Sequence, residues 1–280
     1  MDRKVILITG GSSGIGHEAA RQLARIGHRV YAAARRTERM EDLREEGVVP
    51  IHMDVTSSEE IGRVVEEIIA AEGRIDALVN NAGFGWFGPI ENVETEEARQ
   101  QMEVNLFGLA ELCRKVLPIM REQGGGRIVN ISSIAGKMVL YFGGWYHVSK
   151  YAVEAFSDAL RIEGAPFNIK VSIIEPGAII TEWGGIAARH LEESAGGSAY
   201  EADAMGEAAL LRKAYSMKVL PGPEVVAKKI VRAVERKRPR ARYRCGMGAR
   251  ILPAIHAVLP AKWWDAIMRK SVKAARRWLI

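Results

Sequence analysis

Cysteine is almost absent from this chain: its 280 residues include only Cys113 and Cys245, far apart and in no ligand-like cluster. That scarcity excludes a disulfide-stapled scaffold and a cysteine zinc site, and it fits a reducing, cytoplasmic setting. Long apolar runs are missing as well. No stretch approaches the roughly 18 apolar residues of a membrane-spanning helix. The apolar segment after Met1-Asp2-Arg3-Lys4 spans only Val5 to Thr9, too short for a signal-peptide core. His17, His52, His147, His190 and His256 are scattered without ligand spacing, so no metal is expected. Internal repeats and low-complexity linkers are lacking too.

What is there is ordinary globular material, 48% hydrophobic and 26% charged, which excludes a disordered or collagen-like chain. The length suits one large α/β domain or two small ones. Charge is divided unevenly. From Arg212 onward nineteen Lys/Arg face three Asp/Glu, a net of +16, whereas the first 211 residues carry 21 against 31, a net of −10. The overall +6 is therefore a property of the C-terminal quarter.

Short apolar runs alternate with amphipathic stretches through the first 177 residues. The pattern predicts strands at 4–9, 28–34, 48–53, 75–80, 127–132 and 169–175, separated by helices at 14–26, 57–71, 94–120 and 145–163. Ser57 and Ser58, followed by Glu59 and Glu60, make an N-terminal cap for the second of these helices. Strands joined by such helices call for a parallel sheet, and their lack of polar alternation says both faces are covered. The expected fold is α/β: a single doubly wound parallel sheet with helices on both faces. Beyond Pro176-Gly177 an Ala/Gly/Glu-rich stretch, 178–220, reads as a mobile helical insertion. A helix at 223–237, a strand at 241–245 and helices at 248–259 and 261–279 finish the chain.

The first strand runs into Thr9-Gly10-Gly11-Ser12-Ser13-Gly14-Ile15-Gly16 and then a helix. Free N–H groups and the helix dipole at such a junction favour phosphate, and glycine lets the backbone approach it. The alternative is a plain tight turn, but a first β–α junction favours nucleotide binding. At the tip of strand two, where an acid would select NAD, the sequence is Ala34-Arg35-Arg36. Guanidinium suits a 2′-phosphate, so NADP(H) is expected over NAD(H), with both arginines as plain surface groups the competing reading. Tyr146 and Lys150 share one helix face, and an ammonium beside a phenol favours the phenolate. A lone Tyr-x-x-x-Lys is a weak signal.

It is not alone. With Asp54-Val55 after strand three, Asn80-Asn81-Ala82-Gly83 closing strand four, Asn105, Ser133 thirteen residues before Tyr146, and Pro176-Gly177 followed by Thr181, the chain resembles the short-chain dehydrogenase/reductase family. The resemblance runs from Val5 through Thr181 and more loosely to Cys245. It implies a single Rossmann-type catalytic domain over 1–280, with 182–220 as a substrate lid and 246–280 as a basic C-terminal helical extension. It implies catalytic roles for Asn105, Ser133, Tyr146 and Lys150: Tyr146 exchanges the proton, Lys150 lowers its pKa and holds the nicotinamide ribose, Ser133 donates to the substrate oxygen, and Asn105 anchors a water relay. Ser132 stays open as the alternative serine. Cofactor contacts are implied for Gly10, Ser12, Ser13, Gly14, Ile15, Gly16, Arg35, Arg36, Asp54, Val55, Asn81, Ala82, Gly83, Tyr146, Lys150, Pro176, Gly177, Ile179 and Thr181. One departure is that Gly11-Ser12-Ser13 lacks the basic residue many NADP-preferring members carry, so the preference rests on Arg35 and Arg36.

The resemblance extends to the branch of 17β-hydroxysteroid and retinol dehydrogenases, through residues 142–147 and 242–246. With the aromatic runs 84–88 and 139–145 it implies a lipophilic carbonyl or alcohol substrate, such as a steroid or retinoid. Those aromatics can equally be core or dimer contacts. A homodimer or homotetramer is the family's habit. The rival class is a catalytically silent NADP(H)-binding regulatory or scaffold protein. In the tail, Lys262, Arg269, Lys270, Lys273, Arg276 and Arg277 are interleaved with Trp263, Trp264, Ile267, Met268 and Trp278. The tail reads as a helix packed on the domain or a partner subunit, or as a peripheral membrane contact. Nucleic acid is not expected as a partner, since no groove-reading motif is present.

Overall fold

Every residue of the first strand, β1 (Val5–Thr9), is buried. Val5 and Leu7 enter one core cluster and Ile6 and Ile8 another, as a period of two demands for a strand covered on both faces. The computed structural model describes residues 3–277. Its sheet continues with β2 (Arg29–Ala34), β3 (Val49–His52), β4 (Ala77–Asn80), β5 (Gly126–Ile131), β6 (Ile169–Pro176) and β7 (Arg242–Cys245). All pairings are parallel, in the order β3-β2-β1-β4-β5-β6-β7. The order reverses between β1 and β4, which opens a crevice at the carboxyl ends of the strands. The expected α/β architecture is what the chain adopts.

Helices α1 (Gly14–Arg25) and α2 (Glu41–Glu45) cover one face through Ala19, Ala20, Leu23 and Leu43. The sequence pattern carries no signal for the five-residue α2. Helix α3 (Ser58–Glu72) lies on the other face, where the Ser57 hydroxyl accepts from the Glu60 N–H as its cap. The single helix expected at 94–120 is three pieces: α4 (Thr95–Met102), a π-helical turn at Glu103–Phe107, and α5 (Gly108–Glu122). Insertions of this kind gather at functional sites, and this one carries Asn105. Helix α6 (Gly144–Gly164) completes that face with Val153 and Leu160.

The stretch 178–220 holds two helices, α7 (Trp183–Ala195) and α8 (Glu201–Ser216). They pack on Ala187, Ala188, Leu191, Ala195, Ala204, Ala208 and Leu211, a core built over Tyr146 and Phe142. Small residues explain the weak sequence pattern: alanine carries little hydrophobic contrast. Helix α9 (Glu224–Glu235) returns to the first face. Then α10 (Ile251–Val258) and α11 (Ala261–Arg276) follow β7. Helix α11 lies close on α8, where a Cβ added to Gly206 would stand 2.8 Å from the Val272 carbonyl. The end of the helix predicted at 261–279, with Trp278, lies outside the described residues. Among the described residues no helix is long and apolar enough to cross a membrane.

Part of the basic C-terminal charge is structural. Arg242 on β7 pairs with Asp158 (2.6 Å) and Glu154 (3.1 Å) on α6 and with Glu175 (3.1 Å) on β6. Arg244 pairs with the other oxygen of Glu175 at 2.8 Å. Glu154 and Glu175 are buried, and these guanidinium groups supply the charge their desolvation requires.

Candidate active site

The β1–α1 junction turns at Gly10, whose φ of +69° favours glycine. Gly16 packs directly beneath, and a Cβ there would lie 2.4 Å from the Gly10 carbonyl oxygen. Helix α1 begins without a side-chain cap from Ser13 and with no acid in its first turn. Its leading N–H groups and dipole therefore face the crevice uncompensated, as an anion site requires. Asn81 ties the loop down. Its N–H and that of Ala82 donate to the Thr9 hydroxyl, each at 3.0 Å. Its side-chain amide donates to the carbonyls of Thr9 (3.0 Å) and Gly10 (3.2 Å).

A cleft of about 690 Å³ follows the carboxyl edge of the sheet from Arg35, Arg36 and Asp54 past this loop to Ser133, Tyr146 and Lys150. Its length, its glycine floor and its open helix N-terminus fit a dinucleotide. Gly10, Ser12, Ser13, Gly14, Ile15, Val55, Asn81, Ala82, Gly83, Pro176, Gly177, Ile179 and Thr181 also line it. Of the catalytic and cofactor residues expected from the sequence, only Gly16 and Asn105 do not. Gly16 supports the loop from below, and Asn105 stands behind the wall. Arg35 is 70% exposed, 3.9 Å from a carboxylate oxygen of Asp54. Asp54 accepts from the N–H and hydroxyl of Thr56 at 2.9 and 2.8 Å, which fixes the turn after β3.

At the inner end, Ser133 rather than Ser132 reaches the phenol of Tyr146. The Ser133 hydroxyl hydrogen-bonds Tyr146 and draws its pKa down, but burial outweighs it and pushes the phenol up to about 12. The Ser132 hydroxyl lies near the Ser133 carbonyl instead, at 3.5 Å. Lys150 is also buried, and its ammonium donates to the Ile131 carbonyl at 3.0 Å, 5.9 Å from the centre of the Tyr146 ring. Burial pulls Lys150 down to about 8, with Glu154 opposing. The group that lowers the phenol here is Ser133 and not the ammonium expected from the helix spacing, since Lys150 is turned to the Ile131 carbonyl.

The π-helical turn explains why Asn105 stands where it does. Its side-chain oxygen accepts from the Phe84 N–H (3.0 Å), and its amide donates to the Phe84 carbonyl (2.8 Å) and the Ser149 hydroxyl (3.0 Å). One buried side chain thus joins the strand-four loop to α6 at the residue next to Lys150. Gln101 adds a bond from the Trp86 N–H at 2.7 Å.

The aromatic runs divide. Phe84 and Trp86 line the cleft, whereas Phe87 and Phe142 are buried in the core under α7 and α8, and no residue of 139–145 lines the cleft. The run before Tyr146 is structural because His147 staples it. The His147 Nε2 accepts from the Leu140 N–H (3.0 Å), so its proton sits on Nδ1 and is donated to the Gly143 carbonyl. Between these contacts Phe142 adopts a φ of +58°, a strained conformation for a side chain of its size. Burial drops His147 to about 4, keeping it neutral.

The sequence reading missed Gln100, Val104, Trp183, Ile186 and Tyr215 as lining residues. Tyr215 carried a signal: Ala204, Ala208, Leu211 and Tyr215 recur at helical spacing. Gln100 carried none. Among the described residues no three His, Cys, Asp or Glu side chains gather as metal ligands would.

Residues 4–190 match the family model described as short chain dehydrogenase. The chain is 36% identical over 271 residues to a probable short-chain type dehydrogenase/reductase, VdlC, of Helicobacter pylori, covering 97% of this chain and 98% of that one. It is 43% identical over 180 residues to a 3-ketodihydrosphingosine reductase of Bacteroides thetaiotaomicron, covering 63% and 64%. Among solved structures, a short-chain dehydrogenase from Streptomyces avermitilis is similar over 98% of both chains, with a TM-score of 0.79 and 32% identity. The closed form of a serine dehydrogenase complexed with NADP+ is similar with a TM-score of 0.75 and 27% identity, over 86% of this chain and 94% of that one. Sequence, fold and relatives agree: the chain belongs to the short-chain dehydrogenase/reductase family, and it is an oxidoreductase.

Proposed function

We propose that this enzyme interconverts a lipophilic carbonyl and its alcohol with NADP(H), working as one catalytic domain with α7 and α8 as a substrate lid and α10 and α11 as a C-terminal extension. The observation that carries the reading is the meeting of Ser133, Tyr146 and Lys150 at the inner end of a cleft whose outer end holds Arg35 and Arg36. Bound NADP(H) would supply the hydride-transfer chemistry, held by the glycine loop, Asp54, Val55 and the stretch from Asn81 to Gly83. The two arginines would bind its 2′-phosphate. The NADP+ in the serine dehydrogenase structure supports this choice over NAD(H).

In carbonyl reduction the Tyr146 hydroxyl gives its proton to the substrate oxygen. Ser133 donates its single proton to that oxygen as charge gathers on it. Lys150 supplies a cation in the same buried space. Asn105 holds the Phe84 loop against α6 and so keeps the lysine side of the site in register. Phe84, Trp86, Trp183, Ile186 and Tyr215 make the wall apolar, which suits a bulky lipophilic ketone such as a steroid or retinoid. The name of the 3-ketodihydrosphingosine reductase supports a keto-lipid of that kind. A homodimer or homotetramer is supported by an apolar groove between α5 and α6, lined by Phe107, Leu117, Phe156 and Leu160, with Phe107 exposed.

The test is NADPH oxidation, followed by absorbance, against carbonyls graded from small polar aldehydes to steroids, retinal and long-chain ketones. Turnover confined to the lipophilic members and abolished in Tyr146→Phe is expected. Turnover that survives in Tyr146→Phe, or that favours small polar carbonyls, overturns the assignment.

A further inference from the structure

Helix α10 is apolar on the side it turns to solvent. Ile251, Ile255 and Val258 fall at i, i+4 and i+7, on one face, with Ile251 66% and Val258 81% exposed. Pro253 is the one residue of this helix that is buried. Across Pro260, α11 extends the apolar strip with Trp263 and Ile267, again one turn apart, and Trp263 is 67% exposed. The two helices are fixed to each other: His256 meets the Trp264 ring edge-on at 4.9 Å. The inner face of α11 is used, since Trp264, Val272 and Ala275 are buried against the body of the protein. The outer strip is therefore additional to the packing that holds the helix.

Cations border this strip. Lys262, Lys270, Lys273 and Arg277 lie along α11 beside Trp263 and Ile267, Arg250 precedes α10, and Asp265 is the only acid on α11. Apolar residues and an exposed tryptophan beside a row of ammonium and guanidinium groups are the surface chemistry of an interfacial membrane helix. A second copy of the chain fits less well. An isologous contact through this strip would set the same cations against one another.

We propose that α10 and the outer face of α11 form a docking surface for an anionic lipid bilayer, with Ile251, Val258, Trp263 and Ile267 entering the headgroup region and the lysines meeting the phosphates. The surface lies one helix behind the cleft. Helix α11 packs on α8, whose Tyr215 lines the cleft, and the Trp264 indole donates to the Val139 carbonyl at 2.8 Å, in the segment that leads to Tyr146. Docking would thus hold the cleft beside the phase in which a lipophilic ketone dissolves, although the surface stands independently of the substrate reading.

The test is sedimentation of the full chain with vesicles of phosphatidylcholine alone or mixed with phosphatidylglycerol. Wild-type protein is expected to bind the anionic vesicles at least ~10-fold more tightly than the neutral ones, and to lose most of that binding in high salt as screening shortens to ~3 Å at 1 M. The double variant Ile251→Glu/Val258→Glu is expected to lose ~10-fold or more in binding to anionic vesicles. Its melting temperature and its turnover of a detergent-solubilised ketone without vesicles should stay at wild-type values, because both side chains are exposed. A quadruple variant, Lys262→Gln with Lys270→Gln, Lys273→Gln and Arg277→Gln, should bind both vesicle types equally. Absence of wild-type binding to anionic vesicles at low salt overturns the proposal. So does wild-type-like binding by the double variant. Sedimentation velocity in which the double variant breaks an oligomer of a wild type that binds no lipid assigns the strip to a second copy instead.

Discussion

The two ends of the cleft are built by opposite means. At the inner end Tyr146, Lys150 and Asn105 are buried, and each is engaged by a neighbouring group. At the outer end Arg35 stands 70% exposed, with only a 3.9 Å approach to Asp54. Charges inside a low-dielectric pocket act strongly and answer to every displaced atom, whereas charges in water are screened and forgiving. The inner end can therefore control a proton, and the outer end can bias a choice between cofactors. The expected effects of mutation fall from one end to the other.

The largest effect belongs to Tyr146→Phe, which removes the exchangeable proton and keeps the ring in its core. Turnover should fall by ~10²–10⁴-fold, the range for a positioned acid or base. In the wild type the phenol is pushed up to about 12, so it is protonated across the neutral range. Carbonyl reduction uses the protonated form and should weaken toward high pH, while alcohol oxidation uses the phenolate and should strengthen. Steady-state rates in both directions across pH check the sign.

Next is Asn105→Ala. It leaves the Phe84 N–H and carbonyl without their partner in a part-buried place, and it leaves the Ser149 hydroxyl with its bond to the Tyr146 carbonyl alone. Each lost partner costs about 1–3 kcal/mol when water cannot replace it. Chemical denaturation should show a loss of several kcal/mol, and turnover should drop because the loop and α6 lose their common anchor. Wild-type stability in this variant would place the support of the inner end elsewhere.

His147 lies between the two extremes, inside the protein but outside the cleft. Its folded-state pKa of about 4 lies below the ordinary value of 6.5. Between those pH values the unfolded chain binds a proton that the folded chain refuses, so stability falls as pH drops from 6.5 toward 4. The loss attributable to this ring is at most about 3 kcal/mol. His147→Gln should flatten that part of the stability profile while lowering the plateau, since the Leu140 and Gly143 contacts and the strained Phe142 between them depend on the imidazole. Denaturant midpoints at pH 4.5 and 7 separate the two effects.

Most of this was legible in the sequence, and the exceptions share a physical origin. The sheet was readable because buried parallel strands are apolar throughout, and the glycine loop because its backbone geometry demands glycine. Ordered motifs marked Ser133, Tyr146 and Lys150. The π-helical turn was not legible: an inserted residue leaves the apolar pattern of a helix nearly intact, and its cause is a contact between Asn105 and a loop twenty-one residues earlier. Nor was the position of Lys150 relative to the phenol, because spacing along a helix places two side chains on one face without saying which carbonyl the longer one reaches. The aromatic run at 139–145 left two readings open, pocket wall or core. Its composition suits a pocket wall, but with His147 holding the run, Phe142 and Tyr141 enter the core beneath α7 and α8 while Val139 stays exposed.

The smallest effect tests the outer end. Arg35→Ala should reduce the preference for NADPH over NADH by no more than ~10-fold, because an exposed guanidinium meets its phosphate across screened solvent. Arg36 lines the same end, so the double variant Arg35→Ala/Arg36→Ala should lose more than the sum of the two single losses if the arginines share one phosphate. Raising the salt should shrink the wild-type preference toward that of the variants, and it should leave the Tyr146→Phe defect unchanged. That contrast separates the ends of the cleft by their dielectric surroundings. A cofactor preference indifferent to both salt and arginines would place its origin in the glycine loop, where Ser12 and Ser13 would have to supply it by hydrogen bonds alone.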